Sequence, residues 1–161
     1  MPEAGETPQA FALRAARAKA AEVAPLYPGT ALIAADTVVA LGGELMGKPE
    51  TEEDALGMLL RLAGARHVVC TGCALRLPGG GEESFCASSE VEMKAWPENA
   101  LRAYVAGGEP MDKAGAYAIQ GQGAFLAERI SGSFSNIVGL PLTELLSALL
   151  AHEIISPAWG G

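Results

Sequence analysis

The stretch that decides the fold is residues 31–41, Ala-Leu-Ile-Ala-Ala-Asp-Thr-Val-Val-Ala-Leu. Its apolar and β-branched residues predict a strand in the core of a sheet. Asp36 interrupts this run, and a buried carboxylate is unfavourable unless it is paired, hydrogen-bonded or bound to a metal. Strand alternation places Asp36 on the face of Ala34 and Val38, so Thr37 points to the opposite face. Asp36 is therefore a candidate site residue, although an aspartate that caps a neighbouring loop would explain the same pattern.

A lysine follows this aspartate at a short distance along the chain. Lys48 lies twelve positions after Asp36, between Gly47 and Pro49, where the backbone is tightly constrained. A carboxylate and an ammonium group at this spacing suit a site for metal-bound phosphates. An ordinary solvated lysine in a turn is the alternative interpretation of Lys48.

The composition limits the classes of protein that this chain can belong to. Its 161 residues fit one domain, and half of them are hydrophobic, which is enough for a substantial core. A net charge of −8 argues against a general nucleic-acid binder, which would normally present a basic face. No run of about 20 apolar residues predicts a membrane span, and no signal peptide is visible at the N-terminus. Three cysteines do not make a disulfide framework, so a reduced, cytoplasmic setting is expected.

The periodicity of the hydrophobic residues and the positions of glycine and proline predict a mixed α/β domain with one sheet and flanking helices. The predicted elements, in chain order, are a helix over 8–24, a strand over 31–41, a short strand ending near 46, a helix over 51–64, strands over 66–77 and 85–96 joined by a glycine-rich turn, a helix over 97–106, an irregular segment over 109–123, a strand over 124–130, a final helix opening at Pro141 and a frayed tail over 156–161. Thr51 and Asp54 predict a variant of the capping box at the start of the second helix.

Two later segments add candidate site residues. Residues 112–121 combine small residues, which allow close approach to a ligand, with Gln120, whose amide both donates and accepts hydrogen bonds. An ordinary loop amide is the alternative for Gln120. Residues 136–141, Asn-Ile-Val-Gly-Leu-Pro, are interpreted as a loop that enters a helix.

Three further motifs favour structural interpretations. The glycines of 79–81 lack the following Lys-Ser/Thr of a phosphate loop and predict a hairpin tip. Cys70 and Cys73 lie three apart on a strand, so they point to opposite faces and do not share a metal. His67, at the start of the same strand, is interpreted as structural.

Four motifs occur in an order that resembles the Maf family of nucleoside triphosphate pyrophosphatases. They are Ala-Ala-Asp-Thr at 34–37, Gly-Lys-Pro at 47–49, Asp-Lys-Ala-Gly-Ala-Tyr-x-Ile-Gln-Gly at 112–121 and Asn-x-Val-Gly-Leu-Pro at 136–141. The resemblance runs from about residue 2 to residue 152. It implies a mixed, twisted sheet with flanking helices, similar to the inosine triphosphate pyrophosphatases, with two lobes around a cleft. It also implies hydrolysis of dTTP and UTP to the monophosphate and pyrophosphate, because the sequence of residues 112–121 resembles the branch of the family that acts on these two nucleotides.

The resemblance assigns roles residue by residue. Asp36 matches the catalytic acid, which accepts a proton and lies close to a divalent metal, expected to be Mg²⁺, with Mn²⁺ or Co²⁺ as alternatives. Lys48 matches the catalytic lysine on the phosphate side. Thr37 and Gln120 match positions tied to base selectivity. Lys19 and Lys113 are further candidates for binding the substrate.

One departure from the family pattern affects this prediction. Family members begin with a strand, a Ser-x-Ser-Pro-Arg-Arg loop and a glutamate that have no counterpart here, so we expect a single Maf-like domain over 1–161 that is truncated at its N-terminus. Loss of that strand predicts an uncovered sheet edge. The alternative function is a non-enzymatic or impaired nucleotide-binding regulator linked to septum formation. The expected partners are a nucleoside triphosphate and a second copy of the chain in a homodimer, with no nucleic acid and no membrane.

Overall fold

A computed structural model describes residues 2–157 of the protein. In chain order its helices and strands are α1 (Pro8–Val23), β1 (Leu32–Leu41), β2 (Glu44–Met46), α2 (Glu52–Leu62), β3 (Arg66–Arg76), β4 (Glu82–Met93), α3 (Glu98–Ala106), β5 (Ala127–Ser131), α4 (Phe134–Val138) and α5 (Leu142–Ala151). Short 3₁₀ turns occupy Ala24–Leu26, Glu109–Asp112, Ala114–Ala116 and Gly121–Phe125. The predicted mixed α/β class is confirmed.

The five strands form one antiparallel sheet in the order β2-β1-β3-β4-β5. The central strand β3 pairs with β1 on one side and β4 on the other, and its register sets Asp36 opposite Gly72 and Thr37 opposite Thr71. The short strand β2 pairs only with residues 39–41 of β1. Within residues 2–157, positions 32–38 of β1 therefore have a strand neighbour on one side only.

Helix α1 packs tightly on one face of the sheet. Its buried face consists of Ala12, Ala16 and Ala20, whose small side chains allow the helix backbone to approach the strands. A Cβ atom on Gly72 of β3 would lie 2.4 Å from the carbonyl group of Ala12, so only glycine fits at this contact. Thr7 begins the helix by accepting a hydrogen bond from the backbone N–H of Ala10. This packing fixes the position of Lys19 relative to β1.

The opposite face of the sheet carries the larger core. Leu59 and Leu62 of α2 and Leu101 of α3 are fully buried there, against Val69 of β3 and Val91 of β4. Complete burial of such a side chain contributes about 1.5–3 kcal/mol. The predicted capping box of α2 is confirmed, because Thr51 and Asp54 each accept a hydrogen bond from the other's backbone N–H.

The cysteines and the glycine turn follow the structural interpretation. Cys70 packs against α1 and Cys73 packs on the opposite face with Leu145, so the two thiols do point apart. All three cysteines are free, and burial raises the pKa of Cys73 to about 11. Residues 79–81 form the tip of the β3–β4 hairpin.

Three predicted elements differ from the structure. The return strand predicted over 85–96 is β4, which occupies Glu82–Met93. The strand predicted over 124–130 begins only at Ala127, because Gly121–Phe125 forms a 3₁₀ turn. Residues 136–138, predicted as part of a loop, belong to the short helix α4, whose N-cap Ser133 accepts a hydrogen bond from the N–H of Asn136. Of the predicted frayed tail, residues 158–161 lie outside the described residues. Helices within the described range are too short or too polar to cross a membrane.

Candidate active site

A cleft of about 280 Å³ lies against β1 and brings together every candidate site residue. Its lining includes Lys19, Asp36, Thr37, Lys48, Lys113 and Gln120. These side chains come from α1, from β1, from the turn after β2 and from the segment between α3 and β5. The fold therefore assembles residues that are far apart in the sequence into one site.

Asp36 is half-buried, and its partner is a lysine from the helix that packs on the sheet. The Nζ atom of Lys19 lies 2.6 Å from Oδ1 of Asp36 and donates a second bond to the carbonyl of Ala35 at 3.3 Å. The side chain of Asp36 is 20% exposed and that of Lys19 is 56% exposed, so the pair lies at the cleft wall and adds little stability. Its main effect is to hold the carboxylate in one orientation.

Thr37 points to the opposite face of β1, as strand alternation predicted. Its hydroxyl lies 2.8 Å from the hydroxyl of Thr71 on β3. The Thr71 hydroxyl in turn donates to the backbone carbonyl of Asn136, also at 2.8 Å. Thr71 and Asn136 are fully buried, so this chain of hydrogen bonds runs from the cleft wall into the core.

Lys48 is exposed on a turn that is tied to the far wall of the cleft. The carbonyl of Gly47 accepts a hydrogen bond of 3.0 Å from the N–H of Gly115. Gly115 has φ = 69°, and a Cβ atom there would meet Val39 at 3.0–3.3 Å, so both its conformation and its surroundings favour glycine. This contact fixes the turn of Lys48 beside the segment of Lys113.

Lys113 forms an ion pair with its neighbour Asp112 at the cleft rim. The hydrogen bond from Lys113, followed by the charges of Lys113 and Lys48, lowers the pKa of Asp112. Asp112 lines the cleft, although no role of its own was predicted for it. Its place immediately before Lys113 in the motif was the available signal.

Gln120 is exposed on a loop whose backbone is hydrogen-bonded to the carboxylate of Glu109. Glu109 accepts hydrogen bonds from the N–H groups of Gln122 at 2.9 Å and Gly123 at 2.8 Å, and from the hydroxyl of Tyr104 at 2.7 Å. The same Tyr104 hydroxyl accepts a bond of 3.2 Å from the N–H of Ala118. Burial alone would raise the pKa of Glu109, but these hydrogen bonds lower it below its ordinary value. The backbone is thus fastened on both sides of Gln120.

The remaining cleft wall is apolar, and the sequence did not identify it as part of the site. Val39, Val69 and Ile137 belong both to the cleft lining and to the main core. Tyr117 also lines the cleft, and its hydroxyl lies 2.7 Å from Nε2 of buried His67. Burial lowers the pKa of His67 to about 4, so this histidine is neutral at pH 7 and structural, as predicted. An apolar wall beside three lysines suits a ligand with a ring and an anionic tail.

The donor set allows one kind of divalent metal site. Residues 2–157 contain no group of three His, Cys, Asp or Glu side chains placed to hold a metal ion. Magnesium commonly keeps several waters and is held by one or two carboxylates together with substrate phosphates. The half-buried carboxylate of Asp36 fits that second arrangement, in which the substrate completes the coordination.

Comparison with known proteins identifies relatives over nearly the whole chain. A dTTP/UTP pyrophosphatase from Nitratidesulfovibrio vulgaris is 55% identical over 154 residues, which are 96% of this chain and 73% of that protein. A dTTP/UTP pyrophosphatase from Oleidesulfovibrio alaskensis is 52% identical over 159 residues, which are 98% of this chain and 73% of that protein.

A solved structure and a family profile complete the comparison. A nucleoside-triphosphatase / dITP/XTP pyrophosphatase from Mycobacterium abscessus aligns with a TM-score of 0.39 and 14% identity, covering 96% of this chain and 75% of that one. A likeness at that level carries no functional argument. The family profile described as Maf-like protein matches residues 1–152. With that match and with relatives more than half identical to it, this chain belongs to the Maf family.

Proposed function

We propose that this chain hydrolyses dTTP and UTP to the nucleoside monophosphate and pyrophosphate. The observation that carries the proposal is the convergence of Asp36 and of the lysines 19, 48 and 113 on one cleft with an apolar wall. The names of the relatives at 52–55% identity support it. They give no comparable support to the alternative of a non-enzymatic regulator.

The cleft divides into two parts that match the two parts of such a substrate. Lys48 and Lys113 bind the triphosphate at the rim, where their positive charge offsets charge that develops on the leaving pyrophosphate. The base lies on the apolar wall near Thr37, and Gln120 reaches its edge with an amide that can donate and accept.

Asp36 is placed to act on the attacking water. Lys19 occupies Oδ1, and Oδ2 has no hydrogen-bond partner among residues 2–157, so Oδ2 can accept the proton of a water that attacks the α-phosphorus. The new bond joins the water oxygen to the α-phosphorus, and the bond to the α,β-bridging oxygen breaks. Asp36 would also hold the Mg²⁺ ion, together with the phosphates. A bound Mg²⁺ would neutralise part of the phosphate charge and polarise the reacting oxygens.

Pyrophosphate release tests the proposal directly. The purified chain is given Mg²⁺ with dTTP, UTP, CTP or 7-methyl-GTP in separate reactions. We expect release from dTTP and UTP, and a loss of at least about a hundredfold in Asp36→Asn, because that variant removes the proton acceptor and the metal ligand. The exposed Glu128 on β5 supplies the control Glu128→Gln, which should keep full activity.

The outcomes separate the enzyme from the alternatives. Unchanged turnover in Asp36→Asn, with far-ultraviolet circular dichroism showing a native fold, would exclude the assigned role of Asp36. Nucleotide binding without release in the unmodified chain would favour the regulator. Loss of activity with a chelator, restored by Mg²⁺, Mn²⁺ or Co²⁺, tests the metal.

The cellular setting and assembly are also proposals. We propose a cytoplasmic homodimer; three free cysteines are consistent with a reducing compartment, and the dimer rests on the family resemblance alone. Measurement of the molar mass by light scattering tests the dimer.

A further inference from the structure

We propose that Thr71, a buried residue that does not line the cleft, sets the base preference of the site. Its hydroxyl fixes the hydroxyl of Thr37 as a hydrogen-bond acceptor toward the cleft. The site then selects bases that present an N–H group on their pairing edge, such as uracil and thymine, over cytosine. Thr71 is a positioning residue in this proposal, which rests on the proposed function.

The direction of each hydrogen bond follows from the chemistry of its two partners. The carbonyl of Asn136 can only accept, so the 2.8 Å contact with Thr71 uses the single hydroxyl proton of Thr71. The 2.8 Å contact between Thr71 and Thr37 therefore uses the proton of Thr37. With its proton directed at Thr71, Thr37 can offer only lone pairs to a ligand.

The inner end of this chain of bonds is held firmly. Asn136 is fully buried, and its side-chain amide donates to the carbonyl of Val69 at 3.1 Å and to the hydroxyl of Ser89 at 2.9 Å. Thr71 is likewise fully buried, so water does not compete for its proton. The carbonyl that receives the proton of Thr71 cannot easily turn away, and the polarity of Thr37 is fixed by the core.

At the outer end of this chain of hydrogen bonds, Thr37 faces the part of the cleft that suits a base. Thr37 lies opposite Thr71 on the strand pair, and two positions further along the same face Val39 lies opposite Val69. These valines form the apolar wall, whereas the lysines lie at the rim. A hydroxyl beside an apolar wall contacts the edge of a ring rather than a phosphate. An acceptor there matches the N3–H of uracil or thymine and opposes the N3 lone pair of cytosine.

Two arms test the proposal, one of which needs no variant. In the first arm, equilibrium binding of UTP, 5-methyl-UTP, 3-methyl-UTP and CTP is measured by calorimetry with Ca²⁺ in place of Mg²⁺. We expect 5-methyl-UTP to bind like UTP, and 3-methyl-UTP and CTP to bind at least about tenfold more weakly, because an acceptor left without a donor loses roughly one hydrogen bond of affinity. Equal binding of UTP and CTP would overturn the proposal.

In the second arm, Thr71→Val removes the hydroxyl while keeping the shape of the side chain. The proton of Thr37 is then free to turn toward the ligand, so the ratio of UTP to CTP affinity should fall at least about fivefold. Thr71→Ser keeps the hydroxyl and should keep the ratio of the parent chain, and Thr143→Val is a matched loss of a hydroxyl at an exposed position of α5. A ratio that is unchanged in folded Thr71→Val would overturn the proposal. If that variant does not fold, Thr71→Ala takes its place, because it also removes the hydroxyl and should lower the same ratio.

The same samples distinguish failure of this inference from failure of the proposed function. Selective UTP binding without pyrophosphate release would refute the activity and leave the role of Thr71 standing. Pyrophosphate release with equal use of UTP and CTP would refute the role of Thr71 and leave the activity standing. A chain that binds none of the four nucleotides would refute both.

Discussion

Glu109 holds the loop that presents Gln120, and Glu109→Gln should loosen that loop. The carboxylate accepts three hydrogen bonds, from Tyr104, Gln122 and Gly123, at 2.7–2.9 Å, and Oε2 receives two of them. A glutamine has one acceptor oxygen, and its amide nitrogen carries only hydrogens. At least one donor in the loop therefore loses its acceptor in the variant.

The structure sets the expected magnitude. A hydrogen bond to a charged acceptor contributes about 1.5–3 kcal/mol, and the partial exposure of Glu109 places its bonds at the low end of that range. We expect the free energy of unfolding to fall by about 2 kcal/mol in Glu109→Gln. The KM for UTP should rise about fivefold or more, with a smaller change in kcat, because the proposed function places Gln120 at the base and not at the reacting phosphorus.

Urea denaturation and steady-state pyrophosphate release measure the two effects on the same samples. Tyr104→Phe is the companion variant, because it removes the donor to Glu109 and the acceptor for the N–H of Ala118. Glu128→Gln is the control for a surface glutamate on β5. If Glu109→Gln unfolds within about 0.5 kcal/mol of the parent chain and keeps its KM, the carboxylate does not hold the loop and this reasoning is refuted.

Three further predictions concern acid stability and backbone conformation. Because the folded pKa of Glu109 lies below its ordinary value of 4.5, its contribution is present above pH 4.5 and is lost as the pH falls through the lowered value. The stability gap between the parent chain and Glu109→Gln should therefore narrow in urea titrations as the pH falls below 4.5. Gly115→Ala should lower the free energy of unfolding by about 1–2 kcal/mol, because φ is 69° and Val39 leaves no room, and a stability equal to that of the parent would contradict this. Gly57→Ala should instead raise it by about 0.5–1 kcal/mol, since Gly57 lies inside α2 with open space around its Cα; a loss of stability would show that the helix surface is not free there.

Periodicity was sufficient to predict the sheet strands and the long helices. Local sequence signals mark three of these elements, namely the strand around Asp36, the helix that Thr51 caps and the hairpin tip at 79–81. Each local preference agrees with the structure that the segment adopts in the folded chain. Residues 121–125 carry no such signal. Their 3₁₀ turn depends on bonds to Glu109, more than ten residues earlier in the chain, so the strand predicted from 124 begins too early.

The residues that line the cleft were predictable from the sequence, whereas the buried residues behind them were not. Asp36, Lys48 and Gln120 stand out because a charged or amide side chain sits in an apolar or glycine-rich context. Thr71 does not stand out, since a threonine in a strand is an ordinary residue, and Asn136 was noted only as part of a family motif with no role of its own. Their connection to Thr37 appears only once the register of β1 and β3 and the position of α4 are known.

Among residues 2–157, the cleft lies at the edge of β1 that β2 does not cover. Asp36 and Thr37 are consecutive on a strand, so their side chains point to opposite faces of the sheet, and a ligand lying over one face would reach only one of them. Within residues 2–157, positions 32–38 of β1 pair only with β3, and a ligand at the other edge can contact both faces at once. The face of α1 then supplies Asp36 with Lys19, and the opposite face supplies Thr37 with the apolar wall. In the proposed function, the acid–base residue Asp36 and the base-recognition residue Thr37 are therefore adjacent along β1, and one peptide unit separates the two roles.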